Sequence, residues 1–228
     1  MYLQVPRQVE RLLLAVTPMS DLAYESLEDV EFPDDIHTTS TGISNEKLGM
    51  WVYLASDCLL FGGMISTYLI YKNRPGEIAG LTGNTHKVSE YFDIPFTSMT
   101  SFILLMSSLT MVLAVNSVIR GDLTRLRLWL TSTAVLGGLF LGGQIYEFTN
   151  FVVNDDLGFT SNVASSAFFA LTGLHGVHVV IGVIMLLSML AISFGTRIRA
   201  EAVEVVGLYW HFVDIVWVLI FTIVYLIP

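Results

Sequence analysis

The sequence predicts an all-α protein, a polytopic membrane bundle of five transmembrane helices. Three observations carry this expectation. Apolar residues make up 54% of the 228 positions, and about 62% once the 18 glycines are added, against roughly 45–50% for an average soluble domain counted the same way. Charged residues are only 14%, against roughly 25% as the norm. A soluble domain of this size could not hide so much apolar surface, so the solvent must largely be lipid. Finally, the apolar residues fall into five long runs without period-two alternation, which excludes a β-barrel. The single cysteine, Cys58, excludes an internal disulfide and any site built from two thiolates of this chain.

Taken in order, residues 1–46 form an acidic polar arm and residues 47–228 one five-helix membrane domain. The arm contains one short apolar run, Leu12–Val16, followed by Pro18, too short for the core of a signal peptide. Gln8–Val16 is compatible with a short interfacial helix, and 20–46 reads as an acidic loop. The expected spans are 48–71, 96–119, 126–149, 164–194 and 203–227. A run of 24 residues reaches about 36 Å at 1.5 Å per residue, enough to cross a hydrocarbon core of about 30 Å with some tilt. Helix is the required form, because lipid offers backbone groups no partner outside their own segment. The 72–95 connector, with Pro75, Gly76, Gly80 and Gly83, reads as irregular.

The formal charge of −9 is unevenly distributed. The arm holds nine acids and two bases, so it carries −7 and the bundle only −2. Such a distribution gives no electrostatic support for nucleic-acid binding. Five spans place the arm on the same side as the 120–127 and 197–199 connectors. That side collects Arg7, Arg11, Lys47, Arg120, Arg125, Arg127, Arg197 and Arg199, against Lys72, Arg74 and Lys87 opposite. The positive-inside rule then expects a cytoplasmic N-terminus and a C-terminus on the outer side.

Ionisable residues within a span cost about 2.5–3.5 kcal/mol each on insertion scales, so each needs a reason. Those away from the basic and acidic span starts are Asp57 in the first span, Glu147 in the third, His175 and His178 in the fourth, and His211 and Asp214 in the fifth. The spacing of three puts each of the last two pairs on one helix face, which must turn inward. Asp57 is expected to meet an imidazole across a helix interface, with His211 and Asp214 forming a second hydrogen-bonded set. The residues alone admit a polar clasp that fixes helix register or a proton relay. Haem ligation would need axial ligands from opposite faces, for which the most this bundle could offer is one pair, His178 with His211; a di-metal site would need several inward glutamates with Glu-x-x-His pairs, of which His211 and Asp214 resemble at most half, so no redox cofactor or metal is expected on this chain. Cys58 is expected to be an inert buried thiol. Ala134, Gly138 and Gly142, spaced by four, are expected to form a close-approach ridge. Most of the aromatics, Trp51, Tyr68, Tyr209, Trp210 and Tyr225 among them, are expected in an interfacial belt, with Trp51 and Trp210 as lipid contacts and Trp217 in the core.

Four stretches together resemble one family. They are Ser166-Ala-Phe-Phe-Ala-Leu-Thr-Gly-Leu-His-Gly-Val-His178, Tyr209-Trp-His-Phe-Val-Asp-Ile-Val-Trp217 followed by Tyr225, Trp51-Val-Tyr-Leu-Ala-Ser-Asp-Cys-Leu-Leu-Phe61, and Ile145-Tyr-Glu-Phe148. In this combination the chain resembles subunit III of the haem–copper terminal oxidases, in its short five-helix bacterial form, from about Leu48 to the C-terminus. The Ser56-Asp57-Cys58 wording is similar to the bo-type quinol oxidases. The acidic arm lies outside the motifs and leaves quinol and cytochrome c both open as electron donor. The resemblance implies an accessory subunit of a proton-pumping oxygen reductase in a bacterial or archaeal plasma membrane. It implies packing on the catalytic subunit I, which carries the haem and copper, contact with other oxidase subunits, support of proton uptake and durability, and bound structural phospholipids. It also implies that Asp57 is the family's intramembrane carboxylate, with His175, His178, His211 and Asp214 its polar interior. Arg197 and Arg199 are candidates for lipid phosphate by location. The competing classes are a di-haem b-type quinol-reacting anchor, which needs four placed histidines where the spans hold three, and a small transporter, which would be expected to show broken or inverted-repeat helices.

Overall fold

In the computed structural model of the chain, residues 44–72, 93–153, 163–195 and 198–227 are described. The chain divides into two units, Met1–Asn45 and Glu46–Pro228. The expected interfacial helix at Gln8–Val16, almost all of the acidic arm, most of the 72–95 connector and Arg197 lie outside the described residues.

Among the described residues there are five long helices: α1 (Asn45–Tyr71), α2 (Ile94–Ile119), α3 (Leu123–Val153), α4 (Val163–Gly195) and α5 (Ala200–Ile220), the last running on into a π-helical turn, Phe221–Leu226. Each is long and apolar enough to cross a membrane. Several exceed the expected spans by one to four residues at an end, because hydropathy marks the stretch solvated by lipid while capping groups set where the helix stops. At the start of α2, Asp93 accepts the Phe96 amide (3.2 Å) and Pro95 occupies the first turn. At its end, Gly121 adopts a left-handed φ of 74°, which lets the amides of Gly121 and Asp122 close on the carbonyls of Val118 and Ser117, a glycine-terminated helix stop. Asp122 then caps α3 by accepting the Arg125 amide on Oδ1 (3.1 Å). Three residues thus reverse the chain, and α2 and α3 form an antiparallel hairpin.

The ends of other spans are tied by charge. Lys47 of α1 pairs with Glu204 of α5 (2.6 Å), and Arg199 bridges Glu46 and Glu201 (3.1 Å each). At the opposite end the Lys72 ammonium donates to the Ile227 carbonyl (2.9 Å). These contacts put the start of α1 beside the start of α5, and the end of α1 beside the end of the π turn.

Apolar side chains cover the outside of the bundle, as lipid requires, and the interior is an apolar core that also encloses a set of polar side chains. Leu59, Met99, Leu128, Val135, Ile145, Ile184 and Ile215 face outward, while Thr97, Ser107, Thr133, Ser165, Thr172 and His175 are fully buried. The most enclosed span is α5 and the least enclosed α1.

Several expectations are corrected here. Trp210 is 1% exposed, and Tyr68, Tyr209 and Tyr225 are also buried, so these rings are core and not an interfacial belt; Trp51 is exposed. Trp217 is core, as expected. Cys58 is exposed on the surface of this chain, because its neighbour Asp57 takes the inward face of α1. The small-residue ridge also moves. Nothing lies within 4 Å of a β-carbon at Gly138 or Gly142, whereas one at Gly137, Gly143 or Gly182 would meet a packed side chain at 2.5–2.8 Å. The close approaches use a different face of α3 from the one the spacing suggested.

Candidate functional site

Among the described residues, the ionisable side chains inside the bundle fall into three groups. The central one joins α1 to α4. One turn of helix separates Asp57 from Phe61, so both project from the inward face of α1, and both are buried. Opposite them, His175 and His178 share a face of α4. Nε2 of His178 lies 3.5 Å from Oδ2 of Asp57, a charge contact rather than a formed hydrogen bond. Nδ1 of His178 is 2.8 Å from the Leu174 carbonyl. A carbonyl only accepts, so Nδ1 carries the hydrogen and Nε2 is the nitrogen left for Asp57. Below the ring, the Tyr209 hydroxyl donates to the His178 carbonyl (2.9 Å), and Phe61 meets the imidazole edge-on at 5.1 Å.

His175 is placed differently. It is fully buried, stacked on Trp217 of α5 at 4.9 Å and 26° and flanked by Phe140 of α3 at 5.9 Å. Among the described residues neither of its ring nitrogens has a hydrogen-bond partner. Such a group costs about 1–3 kcal/mol relative to a satisfied one, so its aromatic enclosure must compensate.

The second group joins α2 to α5. His211 and Asp214 meet through a third residue: His211 Nδ1 lies 2.6 Å from the Ser108 hydroxyl of α2, and the same serine faces the Asp214 carboxyl. On one helix, residues three apart project side by side along the axis, and a serine from the neighbouring helix fits between them. Asp214 is 3% exposed. His211 borders a crevice of about 470 Å³ with Lys47, Asn116 and Glu204 at its rim.

The third group sits toward the far end of α3. There Thr97 donates to Glu147 at 2.7 Å, and Tyr225 packs against the same carboxylate. The wider π turn carries Tyr225 there, as such turns commonly do at side chains with a special position. Glu147 and Asp57 are therefore in separate groups, not one cluster. Among the described residues no three His, Cys, Asp or Glu side chains converge in a metal-holding arrangement.

Sequence inspection passed over the small polar residues that complete these groups. Indole Nε1 of Trp210 donates to Ser107 (2.9 Å) and that of Trp217 to Ser101 (2.8 Å). Two rungs thus join α5 to α2, seven residues apart on one helix and six on the other. Gln144 of α3 donates to the Thr172 carbonyl of α4 (2.8 Å), through space left by Gly176. The signal was present: Ser101, Ser107 and Ser108 are hydroxyls inside a span, and the two tryptophans lie on one face. Of the other candidates, Arg199 has both terminal nitrogens on carboxylates, which leaves no open guanidinium fork for a lipid phosphate.

Comparison with known proteins bears on all of this geometry. The family model described as cytochrome c oxidase subunit III matches residues 7–227, so the likeness begins inside the acidic arm and is not confined to the motifs of the bundle. The chain is 37% identical over 185 residues to cytochrome c oxidase subunit 3 of Bacillus sp., covering 80% of this chain and 86% of that one. It is 35% identical over 184 residues to a probable quinol oxidase subunit 3 of Staphylococcus saprophyticus, covering 79% and 88%. It is 33% identical over 196 residues to cytochrome bo(3) ubiquinol oxidase subunit 3 of Pseudomonas aeruginosa, covering 85% and 90%. Relatives at this identity and coverage, together with a family match along nearly the whole length, assign this five-helix protein to the cytochrome c oxidase subunit III family.

Proposed function

We propose that the chain is the accessory subunit III of a proton-pumping haem–copper oxygen reductase, a multi-pass protein of the bacterial plasma membrane. Its place is beside the catalytic subunit, which carries the haem and copper; this chain bears no redox centre and holds structural phospholipids. It supports proton uptake and the durability of the complex during turnover. Relatives named for both cytochrome c and quinol oxidation leave the donor to be identified on the other subunits. The bias of bases toward the arm side supports a cytoplasmic N-terminus and an outer C-terminus.

The observation that carries the reading, beside the family match, is how the intramembrane imidazoles are used. His178 is held by the Leu174 carbonyl and Asp57, His211 by Ser108, and His175 lies flat on Trp217. Side chains so engaged suit a bundle that holds and exchanges protons better than one that ligates haem iron from opposite faces. The decisive experiment is affinity purification of the tagged chain from mild detergent. A larger subunit showing haem absorption should travel with it. A b-type Soret band in the isolated chain would overturn the proposal. In the purified complex, Asp57→Ala should leave assembly near normal and shorten the time over which oxygen reduction is sustained; loss of all haem from that complex would contradict this role.

A further inference from the structure

We infer that the α2–α3 turn is a binding site for the phosphodiester of an anionic phospholipid headgroup, with Arg120 as its principal contact. The inference deepens the proposed phospholipid binding and rests on that reading.

Six lysines and arginines fall among the described residues. Lys47, Arg125 and Arg199 are paired with carboxylates. Lys72 and Arg127 are spent on backbone carbonyls, the latter with Ser193 Oγ and the Phe194 ring as well. Arg120 differs. Its Nε donates to the neutral Asn116 amide (3.2 Å), and among the described residues no carboxylate is paired with it. A guanidinium tethered through Nε keeps its two terminal nitrogens directed away from the tether, the fork that binds phosphate oxygens.

That fork borders a cavity of about 470 Å³ whose walls include Arg120, Asn116, Asp122, Arg125, Leu128 and Trp129. The one acid there is already engaged: Asp122 holds the Arg125 amide on Oδ1 and the Arg125 Nε on Oδ2 (3.1 Å each). Two arginines and one aspartate leave a net charge of +1, which balances one phosphodiester. The remaining walls identify the source of that group. Leu113 and Trp129 are half-buried in these walls, and Leu128 is 60% exposed beside them. An aromatic ring at a span end above an apolar strip suits a headgroup with acyl chains below it. A free anion would use the charge and leave that strip bare.

The test uses the purified oxidase complex, delipidated and returned to nanodiscs of phosphatidylcholine with or without phosphatidylglycerol, in phosphate-free buffer. Native mass spectrometry counts the phosphatidylglycerol retained, and the thermal midpoint reports its effect. The wild-type complex should retain one more such lipid than Arg120→Gln, whose apparent affinity should be about tenfold weaker, with partial recovery in Arg120→Lys. Arg199→Gln, whose guanidinium is spent on Glu46 and Glu201, should match the wild type in the number of lipids retained. Equal retention by wild type and Arg120→Gln would overturn the site. A midpoint rise of the same size from inorganic phosphate alone, without phosphatidylglycerol, would overturn the lipid as its occupant. Co-purification with the catalytic subunit is scored in every variant, so failure of this site is distinguishable from failure of the proposed function.

Discussion

Trp210 of α5 lies directly over Gly137 of α3: a β-carbon on that glycine would sit 2.5 Å from the indole Cη2. Gly182 of α4 faces the same indole, its β-carbon position 2.8 Å from the ring, and Ser107 of α2 accepts the indole N–H. One side chain therefore sets the spacing of three helices, α2, α3 and α4, against α5. Gly137→Ala forces a large, enclosed ring to shift, and overpacking of this kind costs about 1–3 kcal/mol. Gly138→Ala, with nothing within 4 Å, should be close to neutral in the isolated chain. Thermal unfolding of the two variants in detergent checks the contrast.

The two indole rungs should contribute less than their burial suggests. Interhelical hydrogen bonds in membranes average about 0.6 kcal/mol and reach about 1.7 at most, because the unfolded chain in lipid also finds partners. A double-mutant cycle on Trp217→Phe and Ser101→Ala should return a coupling in that range. A coupling near zero would mean that the rung is geometry without stabilisation, and the same cycle on Trp210 and Ser107 provides a repeat.

The turn at Gly121 yields a prediction with a chemical signature. At φ 74° a β-carbon is strained by about 1–2 kcal/mol, except in Asn and Asp, which tolerate the left-handed region. Gly121→Ala should lower the thermal midpoint of the bundle, and Gly121→Asn should recover most of the loss. A β-carbon there has nothing within 4 Å to crowd, so an equal fall in both variants would overturn the backbone-conformation account.

The five spans were legible because lipid imposes one rule on every residue in contact with it: apolar side chains outside, backbone bonds closed within the helix. The inward carboxylates and imidazoles were legible for the same reason, since Asp57 or His178 facing lipid would be too costly. Partner identity was not legible. His211 could have met Asp214 on its own helix, and only the position of Ser108 on α2 decides otherwise. Which face of α3 packs closely was equally hidden, because Gly137, Gly138, Gly142 and Gly143 offer two candidate faces and the Trp210 ring chooses between them. Aromatic residues near span ends misled for a related reason. Tyr68, Tyr209 and Trp210 have the amphipathic character of interfacial residues, but a partner inside the bundle satisfies a hydroxyl or an indole N–H as well as water does, as Tyr209 and Trp210 show.

The contact between Asp57 and His178 distinguishes a structural clasp from a proton-holding pair. Asp57→Asn preserves size and can donate an amide hydrogen to Nε2 of His178, whose Nδ1 is committed to the Leu174 carbonyl. It cannot release or take up a proton at working pH. Asp57→Leu removes the polar partner and leaves a buried ring nitrogen facing hydrocarbon, at a cost of about 1–3 kcal/mol. If the pair only fixes register, Asp57→Asn should behave as wild type in every assay, and Asp57→Leu should lower the thermal midpoint. With the proposed role in proton uptake, Asp57→Asn keeps the wild-type midpoint and subunit composition, yet sustained oxygen reduction decays several-fold sooner. Stability and turnover lifetime therefore separate in this one variant, and measuring both on the same preparation decides between the two roles.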